Sequence, residues 1–365
     1  MPTTGTPLGA WILQLYMSSR DTLRASLNST STSIHITFDS RTSPEKASFL
    51  AIFGHYVELK SRKCIHVLLG LRKLQGPLSG ANQAGCIWQV ATELGIAQKL
   101  GYFTTKNTSA NNKALEYIAE QSDHIGVTFD PISRRIQCFG QILDEIGKAL
   151  LWGESPEAIT EDPDSDDGSQ DQIEYLRAWR RKGPLGRLHN CIRHILTSPQ
   201  TSELFQQNAG RHNLEGASLL LISGDGSSWR EDLAAISRAL LLRDPIDDFI
   251  GSTIIRDQIL DECSLAFDEL SSHDWDDLTK LVELFEPVKM WTIRLQKQGA
   301  ATPLSDILPA YEELLSHFDN QMECHSSANS PAHTLSCLNA AWLLLREYVS
   351  LTILLHESTL LCSVN

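Results

Sequence analysis

Ile34-His35-Ile36-Thr37-Phe38-Asp39, followed by Ser40-Arg41-Thr42-Ser43-Pro44, is the stretch that decides the fold. Ile34, Ile36 and Phe38 alternate with His35 and Thr37, the period of a strand with one face buried. The turn signal Ser43-Pro44 predicts that the strand stops just past Asp39. A carboxylate carried into a fold on such a strand is costly unless it is paired or bound to a metal. Asp39 therefore reads either as a metal ligand or as a turn carboxylate capping the next segment. The strand by itself leaves both open.

Working outward, strand signals follow at 48–58, where Phe49, Ala51 and Phe53 alternate, and at 64–69. Three strands with short links predict an antiparallel meander. Gly76, Pro77 and Gly80 punctuate a loop over 75–80. A helix is predicted over 82–100, a short strand over 102–105 and a second helix over 109–121. Before the meander, apolar positions from Trp11 to Leu27 recur at helical spacing. The order βββ-α-β-α differs from the alternating repeats of a doubly wound sheet.

The 365 residues are 42% apolar, enough for two domains with real cores. A net charge of −14 excludes a polycation that coats nucleic acid but leaves room for a local basic groove. The eight cysteines include no Cys-x-x-Cys pair, which reads as reduced thiols in an intracellular protein. The N-terminus lacks a basic region followed by an apolar run, so secretion is not expected. Arg346, Glu347, His356 and Glu357 interrupt the most apolar stretch, Leu338 to Leu361. That stretch reads as buried helix, with no membrane partner.

Residues 153–175 are acidic and turn-rich and contain no Lys or Arg, the pattern of a disordered, solvated loop. Beyond them, 176–352 carries apolar residues at spacings of three and four, such as Leu233, Ile236 and Leu240. This half reads as all-helical, and no internal repeat is visible.

The ordered segments FDSRTSP (38–44), VLLGLRKLQGPLSGANQA (67–84), GYFTTKNTSANNKAL (101–115) and RRIQCFGQILDEIGKALLWG (134–153) resemble the catalytic half of fungal hAT-superfamily DNA transposases. WRRKGPLGRLHN (179–190), SSWRED (227–232), RALLLRDPIDDF (238–249) and LNAAWLLLREYVSLT (338–352) continue the resemblance through roughly residues 9–352. It implies an α/β ribonuclease H-like fold, with a mixed sheet that is incomplete here and a large all-α insertion. The expected organisation is a helical lead-in (1–30), the α/β half (31–152), the acidic loop (153–175), the insertion (176–352) and a divergent tail (353–365). The implied chemistry is DNA strand cleavage and transfer through Mg²⁺ or Mn²⁺, with DNA and transposase homo- or hetero-oligomers as partners and a nuclear location. Such metals require several converging carboxylates.

Carried over residue by residue, Asp39 matches the first family aspartate and would be a metal ligand. Lys106 stands where the second belongs. Its ammonium would repel the metals and could pair with Asp39, or it is a solvent-facing lysine at a strand end. The third carboxylate is expected beyond the insertion. The resemblance runs out near Thr352, and Glu357 in the tail is a poor substitute. The expectation is therefore a truncated, degenerate transposase without strand-transfer activity. Other departures agree: Arg41 replaces a family Trp, Gln141 replaces the His of a Cys-x-x-His motif, and Pro77 precedes Leu78-Ser79-Gly80 where a His is usual.

Three further signals remain. Arg177, Arg180, Arg181, Lys182 and Arg187 cluster around Trp179, a pattern that reads as a DNA contact or as a solvated helix start beside one core aromatic. Trp229 aligns with a family Arg-Trp motif implied to act near a flipped base, although Ser228 replaces the arginine; core packing is the other reading. Gly224-Asp225-Gly226 lacks the Lys-Ser/Thr of a phosphate loop. The alternative to a broken enzyme is a non-catalytic protein that binds DNA or a transposase partner. A third reading is an open frame with no stable product.

Overall fold

The computed structural model describes residues 5–58, 61–153, 170–212, 220–224, 228–257, 263–297, 304–325 and 332–362. Helix α1 (Gly5–Ser29) leads into strands β1 (Ile34–Thr42), β2 (Ser48–Val57) and β3 (Cys64–Lys73). Helix α2 (Gly80–Leu94), β4 (Leu100–Thr105), α3 (Ser109–His124) and β5 (Arg135–Gln137) follow, and then α4 (Phe139–Trp152). The strands form one mixed sheet in the order β3-β2-β1-β4-β5. Strand β2 is antiparallel to both β1 and β3, whereas β1–β4 and β4–β5 are parallel. This is the ribonuclease H-like α/β arrangement that the resemblance implies, and the sheet expected to be incomplete holds five strands.

The predicted meander is present, with its first and third strands longer than read: β3 continues from 69 to Lys73, where Arg72 and Lys73 still pair with Leu50 and Phe49. Strand β1 runs three residues past Asp39, because Arg41 and Thr42 still pair with Phe49 and Ser48. The Ser43-Pro44 signal marks the turn itself, closed by the Ser43 N–H donating to the Ala47 carbonyl (2.8 Å). Ile34, Ile36 and Phe38 are at most 2% exposed and meet Ile87, Val90, Leu94, Leu115 and Ile118 in one core. That core holds α2 and α3 against one face of the sheet. Lys99 secures α1 by donating to the carbonyls of Asn28 (2.9 Å) and Thr30 (2.8 Å), where a helix end leaves acceptors unfilled.

Gly80, read from the sequence as loop punctuation, is the first residue of α2, capped by the Ser79 hydroxyl accepting from the Asn82 N–H. A Cβ on Gly80 would lie 2.6 Å from the Ala110 carbonyl oxygen and 2.6 Å from Lys113 Cβ. The missing side chain lets α2 and α3 approach closely. On the opposite sheet face, a row of three histidines crosses the strands, because His35 registers with His55 and His55 with His66. Burial, together with His66 and His35, pushes the His55 imidazole down to about 4.

Contacts divide the chain into two units, 1–141 with 299–301 and 350–365, and 142–298 with 302–349. The second is helical: α5 (Gln170–Arg180), α6 (Pro184–Leu196), α7 (Pro199–Ala209), α8 (Trp229–Leu241), α9 (Arg243–Asp257), α10 (Ser272–Leu284), α11 (Glu286–Lys297), α12 (Leu304–His325) and most of α13 (Ala332–Cys362). Trp179, Trp229, Trp275, Phe205, Phe249, Phe285 and Phe318 are among its fully buried side chains. The acidic stretch is helical from Gln170, not looped through 175, because Gln172, Tyr175, Leu176 and Trp179 form a buried stripe at helical spacing. Its remainder, 154–169, and Asp225-Gly226 lie outside the described residues. No helix among the described residues is long and apolar enough to cross a membrane.

Two tests follow from this packing. Gly80→Ala should destabilise the protein by about 1–3 kcal/mol, read as a lowered thermal midpoint, because backbone faces the new methyl. The second concerns His55, which protonates near its ordinary 6.5 in the unfolded chain but only near 4 in the fold. Its contribution to stability is complete above pH 6.5 and is lost as pH falls toward 4. Thermal midpoints should drop across that window, and the drop should shrink in His55→Gln.

Candidate functional site

The parallel pairing of β1 with β4 builds the site. Thr37 registers with Thr104, so two residues further along each strand Asp39 comes level with Lys106. Lys106 Nζ lies 3.0 Å from Asp39 Oδ1, and Arg41 Nε lies 3.0 Å from Asp39 Oδ2. Both carboxylate oxygens thus face a cation. The Asp39 side chain is 36% exposed, so this pairing contributes at most about 1 kcal/mol to stability. Its consequence is chemical, not structural.

The backbone carrying Lys106 is fixed from three sides. Buried Asn111 on α3 donates to Thr105 Oγ1 (2.7 Å) and to the Lys106 carbonyl (3.0 Å). Arg135 on β5 donates to Asn107 Oδ1 (2.9 Å), and the Asn107 N–H donates to Gln141 Oε1 (2.6 Å). Gln141 thus anchors the loop after β4. The short strand β5 escapes sequence reading because Arg135-Ile136-Gln137 is too brief to show alternation.

This donor set does not fit Mg²⁺ or Mn²⁺. A hard divalent cation needs several oxygen donors, and a two-metal centre needs carboxylates from separate segments. Asp39 is a single carboxylate between two cations, the Lys106 ammonium and the Arg41 guanidinium. Among the described residues, no three His, Cys, Asp or Glu side chains are placed to hold a metal.

In the helical unit, the sequence cluster 179–182 does not form one surface. Trp179 is 1% exposed and stacks on His189 with ring centroids 3.5 Å apart. Arg180 reaches inward to make two hydrogen bonds to Asp268, 2.9 Å from Nε and 2.6 Å from Nη2. Asp268 is fully buried and also accepts from Asn190 (2.8 Å), so the guanidinium neutralises an interior charge. Lys182 Nζ sits 4.4 Å from the centroid of the Trp152 ring. Arg181 alone of the four is exposed to solvent.

Trp229 is likewise interior. It is 2% exposed, donates from Nε1 to Asp144 (3.1 Å) and stacks on Phe285. Gly147 makes room for it: a Cβ there would lie 2.6 Å from the indole. Neither Trp179 nor Trp229 offers an open ring face to a base.

Residues 37–127 match the family model of the ZBED1 RNase-like domain. The matched span runs from β1 through α3 and includes both Asp39 and Lys106. Over 299 residues the chain is 22% identical to a protein of Talaromyces stipitatus named "Putative transcriptional regulator tpeD", covering 80% of this chain and 32% of that one. The chain therefore spans about a third of that relative's length. The RNase-like match agrees with the hAT resemblance at the level of a transposase-related domain.

Replacing the ammonium tests the geometry. Lys106→Asp should set a second carboxylate beside Asp39 and create Mn²⁺ binding, seen as loss of the free-ion signal in electron paramagnetic resonance. The wild-type protein should leave that signal unchanged.

Proposed function

We propose that this chain is derived from a fungal-type hAT transposase, has lost strand cleavage, and serves as a non-catalytic DNA-binding protein in the nucleus. The observation that carries the reading is the Asp39 carboxylate held between Lys106 and Arg41. A general acid–base or metal-assisted attack on a phosphodiester has no free carboxylate to work with at that position. The RNase-like match supports descent from a transposase-type domain, and the name of the Talaromyces stipitatus relative supports a regulatory use of such a scaffold. The exposed Arg181 is the residue of the 179–182 cluster available to a DNA phosphate. With Arg180 committed to Asp268, the contact is electrostatic and not sequence-reading.

Duplex DNA incubated with Mn²⁺ should remain unnicked by the wild type and by Asp39→Ala alike. Nicking by the wild type that disappears in Asp39→Ala would overturn the loss of catalysis. Binding at about 50 mM salt should weaken as salt rises and weaken further in Arg181→Ala. An absence of binding under those conditions would remove the DNA role and leave a transposase subunit as the partner to test.

A further inference from the structure

The cross-strand histidines on the sheet face away from the α2–α3 core have the geometry of a metal chelate. His55 Nδ1 and His66 Nδ1 lie 3.2 Å apart, and their ring centroids are 4.6 Å apart. Two imidazole nitrogens bound at about 2.0–2.1 Å to one tetrahedral ion are separated by about 3.3 Å. The observed spacing is the bite of a single first-row ion. Without a metal, the contact is a hydrogen bond in which one Nδ1–H donates to the other Nδ1.

We propose that His55 and His66 form a binding site for an imidazole-preferring divalent transition metal, Zn²⁺ or Cu²⁺. Both rings are held in place before any ion arrives. His55 Nε2 is 2.9 Å from Thr37 Oγ1; in the Nε2–H tautomer the hydroxyl oxygen accepts that hydrogen bond and Nδ1 keeps its lone pair. Such an outer hydrogen bond is the usual device for fixing the orientation of a metal-bound imidazole. His66 stacks on Phe53, with centroids 4.9 Å apart and planes 12° from parallel.

Coordination requires no net loss of protons. The Nδ1–H carried by one ring moves to its own Nε2, and both Nδ1 atoms then donate to the ion. His35, third in the row, does not offer its Nδ1 to the ion, because that atom already accepts the Tyr102 N–H at 3.0 Å. Two protein ligands leave the remaining positions to water or to an incoming donor, and His66 is exposed enough to admit one. The Irving–Williams order places Cu²⁺ above Zn²⁺ at such a site, and the hard Mn²⁺ ion well below both.

The test uses the full chain labelled with ¹⁵N-histidine and titrated with Zn²⁺ alone. The Nδ1 resonances of His55 and His66 should shift together and saturate at one equivalent. His66→Ala, an exposed substitution, should abolish the His55 shift. Thr37→Val should weaken binding by about 10-fold, the usual cost of losing an outer-sphere partner. If the His55 and His66 resonances do not move, or if the His55 shift survives in His66→Ala, the site is refuted. Unchanged metal-free spectra elsewhere in both variants would show that the sheet is intact.

Discussion

Parallel pairing of β1 with β4 is the constraint on which the α/β unit depends. It sets the order of the sheet, gives α2 and α3 a common face to cover, and brings residue 39 level with residue 106. In a scaffold of this kind, whichever side chains occupy those two positions decide what the strand ends can do. Two carboxylates there would offer oxygen donors to a divalent cation. With a carboxylate and an ammonium they neutralise each other. A single side chain changes the chemistry and costs the fold little, since an exposed ion pair contributes at most about 1 kcal/mol.

The helical unit spends its charged and aromatic residues differently. Arg180 balances the buried Asp268, Arg187 pairs with Asp274, and Trp229 fills the space that Gly147 leaves. Removing the guanidinium of Arg180 would strand a carboxylate in an apolar interior, which is costly. Residues that looked like a nucleic-acid surface in the sequence are therefore committed to holding helices together. The surface available for recognition in that segment is narrower than its composition suggests.

Much of the α/β unit was legible because its signals are local. Alternation marked β1 and β2, whereas the helix read over 82–100 starts at Gly80 behind the Ser79 cap and ends at Leu94 before the left-handed Gly95. The boundaries that moved did so for tertiary reasons. Strand β1 outlasted Asp39 because β2 continued to pair with it, and Gly80 entered a helix because α3 packs where a side chain would have been. Strand β5 exists through its pairing with β4, with too few residues to show a period. The helical start at Gln170 was hidden by the charge of the preceding block.

Site residues divided along the same line. Lys106 could be placed opposite Asp39 because a family pattern fixed its position along the chain. The inward turn of Arg180 could not be read, since Asp268 lies 88 residues away. The histidine row was invisible for the same reason: His35, His55 and His66 share no local spacing and meet only through strand register. The central claim, that Asp39 is held in ion pairs with Lys106 and Arg41 and takes no metal, is tested most directly by carboxylate carbon resonances during Mn²⁺ addition to the wild-type protein. The Asp39 signal should keep its position and width, as expected for a carboxylate already paired. Selective broadening of that signal at stoichiometric Mn²⁺ would contradict the account.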